Sequence, residues 1–412
     1  MKKILFCFLL VSLQGCAAVK SKIFSEPTAL TRFEFQDAPE IGSTAFGQKI
    51  QLGAFSGLQY LGKSPEGFFR FLTHTDRGPN PEPFEKDGVT FRPFAIPDFQ
   101  PRLLVIDLDP RSERLLLARQ IPLFRPDGKA LSGIPHSSDQ ENPVDLKGNK
   151  IPFDPYGADL EGVAEHSDGS YWMVEEYGPS ILHFTKNGKL VESFKPGSGL
   201  PKILASRRLN RGFEGLALEG NRVYAVVQSP LDIPKSEGSA NSKKSRIARI
   251  VEFDIVQKKT TAQFAYVFDG KADKIGDIAV YSPGKLMLIE QDGKTGKNAH
   301  KKIFLIDLKK ATNLQLLSEA LVGARGTLEL SDPKKLADLG ITPVEKKEIF
   351  DLAANGVLEE KVEGLSLVEG THLAVATDND FGLDGHWDQN TGKLGLSGES
   401  SKIYLFPLPK LD

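Results

Sequence analysis

The chain has 412 residues, a formal net charge of −2 and 40% hydrophobic residues; this is a globular composition with ample material for a large core. Lys+Arg 52 against Asp+Glu 54 leaves no sequence-wide basic field to hold nucleic acid. Gly 39, Pro 26 and Phe 26 favour many short strands joined by tight turns over a helical bundle.

At the N-terminus, Lys2 and Lys3 precede an apolar run over residues 4–13. The run is too short for a stable membrane span and has the layout of a secretory signal. It ends Leu13-Gln14-Gly15-Cys16, which resembles a bacterial lipobox. Cleavage before Cys16 and lipid on its thiol would make residues 1–15 a lipoprotein signal and residues 16–40 a tether to the domain at 41–412. Ala17, with no Asp in its place, points to the outer membrane, facing the periplasm. An ordinary signal peptide with an incidental cysteine is the alternative. Cys7 lies in the segment to be removed, so Cys16 is the one thiol left, and no disulfide, thiolate metal site or catalytic cysteine is expected.

A first strand is expected near residues 31–36. Beyond it a short motif recurs: Ser56-Gly57-Leu58, Glu161-Gly162-Val163-Ala164, Glu214-Gly215-Leu216-Ala217, Gly276-Asp277-Ile278-Ala279 and Glu363-Gly364-Leu365-Ser366. Each copy leads through a turn into a strand ending in polar residues, at residues 69–76, 171–176, 222–228, 285–290 and 372–378. A third alternating strand follows each time, at 103–108, 181–185, 247–254, 303–308 and 403–408. Strand sets repeating every few tens of residues are the signature of β-propeller blades. The reading is an all-β, single β-propeller with five motif-bearing blades and room for a sixth made of less regular strands. Residues 31–36 are expected to complete the last blade. Wide gaps before Gly162 and before Gly364 imply a loop insertion over about 124–158 and a short helical insertion over 331–355. In the latter, Thr342-Pro343 followed by Glu345 reads as a helix start and Asn355-Gly356 as a stop.

The first strand of a propeller blade lines the central channel, so the motif places Glu161, Glu214, Glu363 and Asp277 around one opening. Carboxylates packed so closely repel unless protonated or neutralised. A divalent cation, above all Ca²⁺, takes many oxygen ligands in flexible geometry; the alternative is that each acid caps a neighbour's backbone amides. The second strands end in Asp76-Arg77-Gly78, Glu175-Glu176, Glu290-Gln291-Asp292 and Asp378-Asn379-Asp380. Acidic residues suit turns, yet several at one end of a rigid scaffold mark a site. Asp76 and Asp378 therefore join the candidate metal ligands.

Three longer motifs carry a family resemblance. Asp159-Leu160-Glu161-Gly162-Val163-Ala164, running on to Glu175-Glu176-Tyr177-Gly178-Pro179, is the first. Asn210-Arg211-Gly212-Phe213-Glu214-Gly215-Leu216-Ala217 with Gln228-Ser229-Pro230, and Lys361-Val362-Glu363-Gly364-Leu365 with Asp378-Asn379-Asp380-Phe381-Gly382, are the others. Together they resemble the phytase-like domain, the esterase-like activity of phytase family, over roughly residues 50–408. The resemblance implies a propeller and an ester- or phosphate-ester-cleaving activity with an unsettled substrate.

Other chemistries fail on the sequence. No Gly-x-Ser-x-Gly and no His-Glu-x-x-His is present, and the Gly293-Lys294-Thr295 segment lacks the upstream glycine of a phosphate-binding loop. The mechanism expected is metal-assisted hydrolysis of a small anionic or ester substrate. Ring carboxylates hold the metal, Arg77 and Arg211 clamp the anion, and Glu176 or Asp380 is the general base, with His74 a further base candidate. Each arginine could instead pair with a neighbouring carboxylate. A non-catalytic envelope binding module with structural calcium, and a lactonase, stand as alternatives, and the oligomeric state is open.

Overall fold

Alternation along single strands decides the architecture. In Arg222–Val227, Val223, Ala225 and Val227 pack toward one neighbouring sheet, and Tyr224 and Val226 toward another. A strand apolar on both faces needs a sheet on each side.

The computed structural model describes residues 28–137, 141–233, 244–323 and 328–411, and they form a five-bladed β-propeller. Blade 1 holds Phe55–Lys63, Phe69–Thr75, Arg102–Asp109 and Arg114–Pro122. Blade 2 holds Leu160–Glu165, Tyr171–Glu175, Ser180–Phe184 and Leu190–Pro196. Blade 3 is built from Phe213–Glu219, Arg222–Val227, Ile247–Asp254 and Lys259–Val267. Blade 4 has Lys274–Ser282, Lys285–Gln291, Lys301–Asp307 and Glu345–Asp351. Blade 5 has Lys361–Val368, His372–Asp378 and Lys402–Pro407. Its fourth strand is Thr31–Glu34, antiparallel to the third with Thr31 opposite Leu405. The N-terminal strand thus closes the ring. The innermost strands touch in cyclic order, the fifth meeting the first, which leaves no gap for a sixth blade among the described residues.

Five apolar clusters fill the five blade interfaces. Between blades 1 and 2, for example, Leu72, Leu103 and Val105 meet Val163, Met173 and Leu182. The motif glycine permits this convergence: a Cβ on Gly162 would lie 2.3 Å from the Leu216 backbone nitrogen of blade 3. Any side chain there would force the inner strands apart.

Every acid-bearing motif stands at the start of an innermost strand, beside the end of the second strand. Leu160 faces Glu175 and Lys361 faces Asp378. The long connections leave from this same end. The loop at 76–101 carries Phe84–Lys86 and Val89–Phe94, and the insertion at 123–159 adds Asn142–Asp145, parallel to Val89–Phe94. The loop after blade 5's second strand carries the hairpin Leu383–Trp387 and Leu394–Leu396. Ala95, Phe99, Leu146, Phe381 and Leu394 give these pieces a core of their own.

The second insertion differs from expectation. Short 3-10 turns occur at Pro333–Lys335 and Ala337–Leu339, but Glu345–Asp351, inside the stretch read as a helix from Thr342-Pro343 to Asn355-Gly356, is the fourth strand of blade 4, with Asp307 opposite Glu345. Pairing with an otherwise open sheet edge outweighed the local Pro-x-Glu helix signal. The segment before it packs on the outer strand of blade 3, where Asn313 Nδ2 donates to Thr261 O at 3.1 Å. There the fully buried Arg249 pairs with the equally buried Glu329 at 2.6 Å. No helix among the described residues is long and apolar enough to cross a membrane. The signal and lipidation readings at residues 1–16 lie outside the described residues.

Candidate functional site

The motif's acid position is Ser56 in blade 1, Glu161 in blade 2, Glu214 in blade 3, Gly276 in blade 4 and Glu363 in blade 5. The three glutamates are buried and offer oxygens within 4.8 Å of one another. Ser56 Oγ donates to Glu161 Oε2. Blade 4 can carry no side chain here, since a Cβ on Gly276 would lie 2.1 Å from Val362 O and 2.9 Å from Gln291 Nε2. Its acid sits one residue on, and that corrects the expected ring. Asp277 turns away from the glutamates and accepts from the backbone amides of Ile278 and Leu365, both at 2.7 Å. Amide capping holds for Asp277 and not for the three glutamates.

Two residues before each motif position, at or just before the start of the innermost strand, stand Ala54, Asp159, Gly212, Lys274 and Lys361. Opposite them, the second strands end in Asp76, Glu176, Gln228, Gln291 and Asp378. Asp76, Asp159 and Glu161 form a second group of carboxylates within 4.8 Å. Gln228 Nε2 donates to both Glu176 Oε1 and Glu214 Oε2 at 2.7 Å, which locks two acids side by side.

Burial shapes the protonation of the whole cluster. Glu161 and Glu176 are held well above the usual carboxylate range by burial, reinforced by Glu214. Burial likewise raises Asp76, with Asp159 beside it, and Glu363, against the opposing pull of Lys361. Burial pushes Glu214 up to about 7 and Asp159 and Asp378 to about 6. Two oxygens stand out: Glu214 Oε1 and Asp159 Oδ1 are buried without a hydrogen-bond partner among the described residues. A bare buried carboxylate oxygen is costly unless it meets a proton or a cation. Hard oxygen donors, clustered and under-satisfied, fit a metal ion.

The other predicted residues fall into distinct environments. Arg77 is buried, with Nη1 3.0 Å from Asp159 Oδ2 and 3.4 Å from Glu141 Oε2; Glu141 is itself clamped by Arg92 at 2.6 and 2.9 Å. Arg77 is therefore ion-paired, the alternative left open for it by sequence. Arg211 has no carboxylate paired to it among the described residues, although its charge acts on Glu176 and Glu214. Lys274 likewise acts on Glu214 and Glu363. Asp378 lies outside both carboxylate groups: Oδ2 meets Lys361 Nζ at 2.8 Å, and Oδ1 accepts the Asp380 amide at 2.7 Å. Lys361 Nζ also reaches Asp380 Oδ1 at 2.5 Å, and although burial works to raise Asp380, Lys361 holds it below its ordinary value. Asp380 and Phe381 both adopt left-handed backbone, φ 49 and 57, a strain tolerated chiefly at functional loops. His74 is fully buried, its ring nitrogens against the backbone carbonyls of Thr75 and Glu161, and burial lowers its pKa.

Asp159, Lys361, Gln228 and Lys274 went unassigned in the sequence reading. The first and second could have been found there, because Asp159 and Lys361 each stand two residues before a motif glutamate, Glu161 and Glu363. A cleft of about 800 Å³ opens beside the ring, with Arg77, Asn80, Lys361, Asp378 and Asp380 among its lining residues.

A family model described as phytase-like, esterase-like activity of phytase, matches residues 50–381. An uncharacterized secreted protein of Arthroderma benhamiae is 25% identical over 138 residues, 27% of this chain, and the chain spans about a quarter (26%) of that relative's length. Among solved structures, hydrazine synthase of Kuenenia stuttgartiensis is similar at TM-score 0.33 and 13% identity, over 76% of this chain and 84% of that one. The PQQ-bound aldose sugar dehydrogenase of Streptomyces coelicolor is similar at TM-score 0.34 and 11% identity, over 93% of this chain and 100% of that one.

Proposed function

The chain belongs to the phytase-like family, and on that premise we propose that it hydrolyses phosphate or carboxylic esters at a carboxylate-held divalent cation in its channel mouth. The observation that carries the reading is the Glu161–Glu214–Glu363 group, buried and within 4.8 Å, with Glu214 Oε1 lacking any partner. Ca²⁺ suits this set best, and once bound it supplies a polarised substrate oxygen and a more acidic water.

The chain's own residues supply the rest. Arg211 and Lys274, unpaired by any carboxylate among the described residues, bind the substrate's negative oxygens at the ring's edge. Glu176, oriented by Gln228, takes the proton from the attacking water. Asp380 is the poorer base, because Lys361 stabilises its ionised form. His74 is a buried peg and moves no proton. Arg77 orients Asp159 and leaves the anion to Arg211. The protein works in the bacterial envelope, tethered to the outer membrane through lipid on Cys16. The signal-like N-terminus supports that location, and the secreted relative supports export alone.

The test is metal analysis of purified protein, combined with turnover on phosphate-ester, carboxyl-ester and lactone panels with and without chelator. Chelator-sensitive hydrolysis of one ester class supports the reading, and preference for lactones would reassign the substrate. Bound metal with no turnover on any panel would make this a cation-holding binding module instead.

A further inference from the structure

We propose that the channel mouth holds two divalent cations bridged by Glu161, a proposal that rests on the cation reading above and extends it. Glu161 belongs to both close carboxylate groups, with Asp76 and Asp159 on one side and with Glu214 and Glu363 on the other. Each group contains its own unsatisfied oxygen, Asp159 Oδ1 in the first and Glu214 Oε1 in the second. Both residues are almost wholly buried, 2% and 1% exposed.

The surroundings show why protein donors do not already fill the two positions. Asp159 turns Oδ2 to Arg77 at 3.0 Å, which leaves Oδ1 facing its group bare. Asp76 accepts the Arg77 backbone amide through Oδ1, and its carboxylate lies against that of Asp159, so that only a proton held between the two acids, or a cation, can satisfy the contact. In the second group Gln228 occupies Glu214 Oε2 and leaves Oε1 free. Against Asp76, Asp159, Glu161, Glu176, Glu214 and Glu363, Arg77 makes the one direct ion pair among the described residues. Lys361 is engaged by Asp378 and Asp380. A single divalent cation would leave several buried negative charges uncompensated, and a second brings the cluster close to neutrality. Groups sharing one carboxylate set the ions roughly 3.5–4 Å apart, the spacing of two-metal hydrolytic centres.

The test is binding stoichiometry on the folded full chain, by calorimetry with CaCl₂ and by equilibrium dialysis with MnCl₂. Two equivalents are expected in the wild type. Asp159→Asn and Glu214→Gln should each retain one, and Glu161→Gln should lose both or weaken both at least tenfold. Asp76→Asn stands in for Asp159→Asn if loss of the Arg77 partner unfolds the latter. With Mn²⁺ the wild type should give a spin-coupled paramagnetic resonance spectrum, and the single-site variants an uncoupled one. One equivalent in the wild type, with an uncoupled spectrum and no effect of Asp159→Asn or Asp76→Asn, overturns the second site while leaving the single-cation reading intact. No binding at all overturns both.

Discussion

In the metal-free protein, Glu214 is a carboxyl group buried beside other acids, and its neutral form is favoured by the fold. Burial moves it from its ordinary 4.5 to about 7. A raised carboxyl pKa means that stability is greatest below 4.5, falls as pH rises, and levels off above about 7. At about 1.4 kcal/mol per pH unit, ionising Glu214 costs the fold on the order of 3 kcal/mol between those limits. Glu214→Gln removes the titration and keeps an oxygen to accept from Gln228. Stripped of metal by dialysis against chelator, the variant should match wild type near pH 4.5. Near pH 8 it should be more stable by up to about 3 kcal/mol, measured by urea unfolding across the pH range. Saturating Ca²⁺ should close most of that gap at pH 8, because wild type gains the binding energy of the site that the variant lacks, about 2.7 kcal/mol at a hundredfold excess over Kd. A difference between the metal-free proteins that does not change with pH would refute the argument that Glu214 is strained by ionisation.

The two arginines should separate cleanly. Arg77→Met, which strands Asp159, should destabilise the fold by roughly 3–5 kcal/mol, whereas Arg211→Met should leave the unfolding midpoint near wild type and lower turnover on the order of a hundredfold. Equal stability losses in the two would contradict their assigned environments. Arg249→Met should cost roughly 3–5 kcal/mol by leaving Glu329 buried and unpaired. Most of that should return in the Arg249→Met/Glu329→Leu double variant, and a fully additive double would refute the pairing. Cys16→Ser should move the protein from the membrane to the soluble fraction, and membrane retention would refute the lipid anchor.

Much of the architecture was legible before any coordinates. The recurring motif marked each innermost strand, and in blade 2 its glycine is what lets the inner strands converge, as the Gly162 approach to Leu216 shows. The family motifs and the trio Glu161, Glu214 and Glu363 followed from the same repeat. Local signals failed where pairing competed with them: Glu345–Asp351 follows the helix-start pattern at Thr342-Pro343 and became a strand because blade 4 had an open edge.

The roles of individual charges belong to the tertiary structure. Sequence placed Asp277 in the ring by register, and the one-residue offset in blade 4 sent it to the amides of Ile278 and Leu365. It treated Arg77 and Arg211 alike, and the insertion at 123–159 distinguished them by bringing Glu141 beside Arg77 and Arg92. Asp76 and Asp159, far apart in the chain, come together because two neighbouring blades turn the ends of their strands to one channel. A repeat in sequence records what each blade must do alone, namely pair its strands and bury both faces. Which oxygen ends without a partner depends on long-range approach between blades, and no local pattern encodes that distance.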